Sequence, residues 1–422
     1  MQQHVKRPQA RLLVKITNPL QDFPREVKVL VVASFFVAVG FGIVLPAIPV
    51  FARTFNANNA AVGLIVSAFA ITRFASGLIS GKLVDRFGER FVFTSGVGMV
   101  AIFVGLAGIS QSYHQLLFFR AAGGLGSSMF SIAASSVIMR SVDDEHRGRA
   151  LSVYNGSFLI GAVAGPAIGG VLSVISLRAP FFIYSAMLLI SGTIALFFLK
   201  SSHGAENSIA SPALHMTGIR EALALRPYRI ALVISFLTTW VLFGLRSSIL
   251  PLFVIEKLHS TTAVIGYGFT ISALFQGFLL MRGGRLSDIK GRRYAAITGT
   301  SVIMLGVITL IFTMNPLTYF MAMAIFGIGG AFIAAVPASI VGDLIDGKGG
   351  QVIAIFQMAG DAGMMIGPIA VGLISDHFGF RASFIVTAVV FSWAIVLAIK
   401  LPETRKSHLG QSAITSEISS SD

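Results

Sequence analysis

The chain has 422 residues, 55% hydrophobic and only 12% charged, whereas a soluble globular chain carries about a quarter charged residues; a mainly lipid-embedded protein follows. The net charge of +14 would suggest nucleic acid in a soluble chain, but Lys and Arg gathered in the loops on one side of a membrane explain it better, so no nucleic-acid partner is expected. The chain has no cysteine, which excludes disulfides, thiol catalysis and Cys-based metal sites.

Residues 1–26 form a polar, basic arm without a small-residue cleavage site, so the first apolar run itself is expected to direct insertion. A spanning helix needs about 20 mostly apolar residues. Twelve such runs are predicted, at 27–51, 61–81, 91–110, 115–139, 150–175, 180–199, 229–254, 263–283, 294–314, 317–340, 351–375 and 381–400. All are expected to be helical, because lipid offers the backbone no hydrogen-bond partner and no period-2 barrel pattern is present. Of the 32 basic residues, 25 fall on one side of these runs, four on the other, and three (Arg73, Arg120 and Arg246) inside them. That split places both termini in the cytoplasm of a multi-pass cell-membrane protein.

The polar stretch 200–228 reads as a cytoplasmic linker between two six-helix bundles, 27–199 and 229–400, and the Ser-rich tail 401–422 as disordered. The halves are repeats. Leu45-Pro46 recurs at 205 residues' distance as Leu250-Pro251; Gly63, Gly81 and Asp85 recur at 203 as Gly266, Gly284 and Asp288; Gly161 and Gly165-Pro166 recur at 202 as Gly363 and Gly367-Pro368. The fold class is therefore an all-α polytopic membrane protein, twelve transmembrane helices in two pseudo-symmetric six-helix bundles. Duplicated halves with a site at their interface are a transporter design.

Between the second and third runs stands Gly81-Lys82-Leu83-Val84-Asp85-Arg86-Phe87-Gly88-Glu89-Arg90, and its repeat runs from Gly284 through Asp288 to Arg293. Glycines permit a tight turn, and an aspartate there can face an arginine or a helix N-terminus; a solvated turn with topology-setting charges is the alternative. These residues resemble the signature loop of the major facilitator superfamily, with Gly81, Lys82, Leu83, Asp85, Arg86, Gly88 and Arg90 fitting it. The resemblance covers about residues 27–400. It implies that Asp85 is a conformational latch at the cytoplasmic rim, with Asp288 as its weaker repeat.

On the fourth run, Arg120, Gly124, Ser127, Ser128 and Ser131 share a helical face. A buried guanidinium costs about 2.5–3.5 kcal/mol or more, so Arg120 needs a partner or a cavity, unless it snorkels to the interface. The superfamily has an arginine followed by a glycine here, implicated in proton transfer, and Arg120 and Gly124 match it. On the fifth run, Gly161, Gly165 and Gly169 make a flat packing face and Pro166 allows a bend. Gly165, Pro166, Gly169 and Gly170 resemble the superfamily's antiporter pattern of drug and metabolite exporters, which favours export over uptake.

Asp361 is the only acid clearly inside a run, and it lies near mid-membrane, as does Arg73. The resemblance puts their helices side by side, so the two are expected to pair in at least one state, with protonation of Asp361 weakening the pair; a static pair or separate polar contacts are the alternatives. Arg246, Trp240, Phe243, Gln276 and Met365 are candidate cavity residues: Arg246 would bind an anionic group of the substrate, with snorkelling as its alternative, and lipid-facing or packing roles are the alternatives for the others. No phosphate-binding Gly-x-x-x-x-Gly-Lys-Ser/Thr occurs, so ATP is not expected to drive the protein directly. No cofactor, metal site or enzyme activity is expected.

The reading is a secondary active transporter, functional as a monomer. It would exchange a small amphipathic molecule for protons by alternating access. Proton-coupled uptake of a metabolite is the alternative within transport, and a membrane-embedded enzyme or sensor is the remote one.

Overall fold

The computed structural model describes residues 23–142, 144–199, 219–344 and 350–404. Most of the predicted arm, linker and tail, at 1–22, 200–218 and 405–422, lies outside the described residues.

The first run is broken where proline removes a backbone donor. Helix α1 spans Arg25–Val44 and α2 spans Ala47–Arg53, with Pro46 between them. The second run is α3, Asn59–Ala75, and α4, Gly77–Phe87, bent by 54° at Ser76. The Ser76 hydroxyl donates to the Thr72 carbonyl at 2.6 Å, a back-bond of the kind that bends helices. Helices α5 (Glu89–Gly108), α6 (Tyr113–Ser141), α7 (Asp144–Ile175) and α8 (Ala179–Phe198) complete the first half.

The end of the predicted linker is helical, as α9, Ile219–Ala224, and the seventh run starts at α10, Arg226–Thr239. This run continues as a π-helical stretch, Trp240–Ile249, and then as α11, Leu250–Glu256, with Pro251 in its first turn. Proline is accommodated there because first-turn N–H groups have no intrahelical partner. Helices α12 (Thr262–Lys290), α13 (Arg292–Ile311), α14 (Pro316–Ile333) and α15 (Val336–Leu344) follow. The last, α16, runs Gly350–Ile399 and holds two spans that turn at Gly379, whose φ of 81° only glycine adopts readily.

Among the described residues ten stretches are long and apolar enough to cross a membrane, and the bent pair α3–α4 makes eleven. Counting the two arms of α16 separately gives the twelve of the sequence reading. The principal contacts fall into two bundles, one of α1 and α3 to α8, the other of α10 and α12 to α16. Two crossings join them: α3 against α16, and α7 against α12.

These crossings sit toward one face. A β-carbon on Gly63 would collide with the Pro368 carbonyl, and one on Gly170 or Gly266 would collide with the backbone of the other. Only glycine permits that approach. Asp376 accepts from the backbone N–H groups of Asn59 and Ala60 at 2.9 and 2.8 Å, so a carboxylate of one half caps the N-terminus of α3 in the other, a geometry worth about 0.3–1 kcal/mol and up to about 2 when partly buried. Arg53 pairs with Glu256 across the same face, and the Asn59 amide donates to Ser375 Oγ at 3.1 Å. This is the closed face. The opposite, open face carries the turns at Gly88 and Gly291.

Gly170→Leu is expected to pry α7 from α12. In a protein with no cysteine of its own, a cysteine placed at Ala60 should then react faster with a maleimide supplied from the closed face. An unchanged labelling rate would mean that the crossing does not hold that face shut.

A cavity between the two halves

Between the closed crossings and the open face lies a cavity of about 290 Å³. From the first half it is lined by Phe41 of α1, Phe69 and Arg73 of α3, Ser127 of α6 and Tyr184 of α8; from the second by Ser235 and Thr239 of α10, Phe243 of the π-helical stretch, and Asp361 and Met364 of α16. Phe41 organises the apolar wall, with ring centroids 5.8 Å from Phe69, 6.3 Å from Tyr184 and, across the halves, 6.3 Å from Phe243.

Arg73 Nε stands 3.6 Å from Asp361 Oδ2, with about a quarter of each side chain accessible, 28% and 23%. The distance exceeds that of a hydrogen bond, so the pair is held by charge. Its Coulomb attraction is about 4 kcal/mol at the effective dielectric of about 20 suited to such sites, before desolvation is subtracted. The pair belongs to the α3–α16 crossing alone. At the pseudo-equivalent crossing the repeat of Arg73 is Gln276, which packs beside Gly330 inside the second half.

The remaining candidates separate. Phe243 lines the cavity, but Trp240 does not. Ser235, Thr239 and Phe243 form the inward stripe at four-residue spacing, which turns Trp240 a quarter-turn away, onto Gly363 and Gly367 of α16. Met364 rather than Met365 faces the cavity, and Met365 packs on the small cluster of Phe69, Ala70 and Met364. Arg246 lies outside the lining too, with its guanidinium over the Phe269 ring at 5.1 Å.

Arg120 is 2% exposed and does not snorkel. Its guanidinium carbon lies 4.8 Å from the centroid of Phe69, and Nε and one terminal nitrogen have no hydrogen-bond partner among the described residues. Gly124 serves the α3–α6 contact, since a β-carbon there would strike Thr72; the Thr72 hydroxyl donates to the Ala121 carbonyl at 2.6 Å. Ser128 shares a hydrogen bond of 2.9 Å with Ser80. In α7, Gly161, Gly165 and Gly169 face Ala38, Gly42 and Ile43 of α1, and Pro166 abuts Gly42. Gly170 alone of that pattern reaches the other half.

A family profile described as Major Facilitator Superfamily matches residues 30–262 and 231–417, two overlapping stretches that each take in one half. The chain belongs to the Major Facilitator Superfamily. As a member it is a membrane transporter of small molecules. It is 27% identical over 395 residues to the multidrug resistance protein MdtG of Salmonella choleraesuis, covering 88% of this chain and 95% of that one. To multidrug resistance protein 1 of Bacillus subtilis it is 28% identical over 285 residues, 66% of this chain and 72% of that one. Among solved structures, a bacterial homolog of the human lysosomal transporter Spinster, inward-facing and unoccupied, superposes with a TM-score of 0.74 at 18% identity, over 91% of this chain and 99% of that one; at that identity the likeness speaks for the fold.

The superfamily's signature loop and its repeat are wired differently at the open face. Asp288 pairs with Arg292 at 2.7 Å, and Arg292 Nε donates to Asp343 at 2.9 Å. Glu403 accepts from the backbone N–H groups of Arg292 and Arg293. In the first loop Asp85 is exposed and makes no ion pair among the described residues. Arg86 stacks over its neighbour Phe87 at 5.3 Å, and Arg90 donates to the Leu196 carbonyl at the end of α8. Gly88, at φ 79°, makes the turn, while Gly81 and Gly284 have open space where a β-carbon would stand.

The cause is a reversal of charge. Glu89, 4% exposed, pairs with Arg140 at 2.8 Å, and these two sit 203 residues before Arg292 and Asp343. The same two positions hold an ion pair in both halves with the signs exchanged. An arginine at 292 captures the preceding aspartate, whereas a glutamate at 89 leaves Asp85 without an ion pair among the described residues. Neither this pair nor the closed-face contacts Arg53–Glu256 and Asp376–α3 stands out in the sequence. The repeat offset, applied to charges as well as glycines, is the signal that finds the first of them.

Glu89→Arg and Arg140→Glu should each lower the melting temperature of the purified protein, corresponding to about 1–3 kcal/mol for a charge left without its partner. The double exchange should recover most of that loss yet slow turnover, because Arg at 89 would capture Asp85. Full recovery of stability with unaltered turnover would show that Asp85 need not be free.

Proposed function

We propose that the protein is a secondary active exporter in the cell membrane, exchanging a small amphipathic molecule for protons by alternating access, with its termini and open face cytoplasmic. The observation that carries this reading is the Arg73–Asp361 pair: the one acid of the cavity wall stands on one half and its cation on the other, below a face where the halves are in close contact. Protonating Asp361 removes the attraction between the halves at mid-height. Losing that proton restores it. A group whose charge changes the contact between rocking bodies couples proton movement to their exchange, because a ligand shifts an equilibrium only through its difference in affinity for the two states.

Export is supported by the multidrug-resistance relatives and by the Gly165–Gly170 pattern. An apolar wall with a few hydroxyls and one charge pair suits an amphipathic molecule. Asp85 serves as the latch, free in this conformation and available to the other half when the open face closes; Asp288 is already occupied by Arg292. One chain holds the whole cavity, so a monomer suffices.

In inside-out vesicles, an acidic lumen should drive accumulation of transported compounds from a panel of lipophilic molecules. Asp361→Asn should abolish the gradient-driven component while retaining downhill exchange of the same compound. Accumulation that ignores the gradient in the wild type would overturn proton antiport, and a normal rate with unchanged pH dependence in Asp361→Asn would remove Asp361 from the coupling. At equal expression, Asp85→Asn should slow transport several-fold more than Asp288→Asn, and equal defects would mean a symmetric latch.

A further inference from the structure

The spans of the described residues carry more positive charge than they neutralise. Arg73 is matched by Asp361. Arg120 and Arg246 are not matched: neither makes an ion pair among the described residues, and each rests its guanidinium on a phenylalanine ring. An aromatic face returns only part of what burial removes, and Arg120 leaves two of its nitrogens without any acceptor. A buried, unsatisfied cation calls for a partner.

The position of Arg120 indicates where that partner arrives. The Phe69 ring on which it stacks is also a wall of the central cavity. The guanidinium is therefore one side chain removed from the cavity. Arg120 stands two turns from Ser127 toward the closed face, and Arg246 stands about one turn beyond Phe243 in the same direction. One unmatched cation from each half thus sits above the cavity on its closed side, while the single carboxylate of the wall is already held by Arg73.

We propose that the molecule carried is an amphipathic anion, its apolar body among Phe41, Phe69 and Phe243 and its carboxylate, sulfonate or phosphate turned toward the closed face to meet Arg120, with Arg246 adding to the field. This rests on the transport reading above. It excludes lipophilic cations as the preferred cargo, because Asp361 can accept a cation only by releasing Arg73, which would leave a third unmatched arginine. It also fixes the electrical signature. One monoanion out for one proton in moves two positive-charge equivalents inward per cycle, so an inside-negative potential drives it, whereas a monovalent cation exchanged for one proton moves no net charge.

The test uses the full chain in proteoliposomes and three probes sharing one aromatic body: 1-naphthaleneacetate, its primary amide, and 1-naphthylmethylammonium. The acid should bind about ten-fold or more tighter than the amide, with the ammonium weakest, and its transport should rise with an imposed membrane potential. Arg120→Gln should bring the acid down to the amide's affinity while amide binding persists, which also reports that the variant is folded; Arg120→Lys should keep most of the preference. Equal binding of the three, preference for the ammonium, no binding at all, or an acid preference that survives Arg120→Gln would each overturn the proposal. An acid preference with transport indifferent to a proton gradient would leave the anion site standing and remove proton coupling. Gradient-driven transport of amide or ammonium without acid preference would do the reverse.

Discussion

The distance between α7 and α12, and between α3 and α16, governs the rest of the molecule. At Gly170 and Gly266 two backbones meet with no side chain between them, and at Gly63 a backbone meets that of Pro368. Because contact is so close at one face, the helices diverge toward the other, and a cavity opens at mid-height. The polar contacts of the closed face are all of a kind that can let go: a carboxylate on a helix N-terminus, a partly exposed ion pair and a serine–amide bond. The ion pair is partly exposed, whereas Asn59 and Ser375 are buried and give up a shielded hydrogen bond if the face opens.

Duplication made the halves alike in backbone and left them free to differ in chemistry. Glycines that keep their repeat positions serve the crossings, as Gly63 and Gly266 do, or packing within a half, as Gly165 and Gly367 do. Charges keep theirs less often, although Asp85 and Asp288 correspond. Arg73 has Gln276 as its counterpart, Arg120 has Met323, and the ion pair at the open face keeps its place but exchanges its signs. The outcome is one charged crossing and one neutral crossing and, among the described residues, one aspartate in an ion pair and one outside any.

Much of the architecture was legible in the sequence because lipid enforces it. Apolar length marked all twelve spans, and the constant offset marked the two bundles. Helix interruptions were less legible: the π-helical stretch Trp240–Ile249 has no distinct composition, and it is the local register around it that turns Trp240 from the cavity while Phe243 stays. Of the site, charges were the readable part. Arg73 and Asp361 stood out because charge is rare in a span, and the structure sets them 3.6 Å apart. Phe41 did not stand out among 35 phenylalanines, since a ring facing a cavity and a ring facing lipid look the same in sequence.

The turn at Gly379 has a mechanical side. A single non-helical residue joins the two arms of α16, so there is no slack between them. The first arm holds Asp361 and Asp376; the second presents Ile385, Val389, Trp393 and Ile399 outward, as a lipid-facing helix does. A bilayer that is too thick or too thin pulls on such a surface at a cost of fractions of a kcal/mol per ångström. Through that turn such a pull bears on the arm that carries the carboxylates at mid-height and at the closed face.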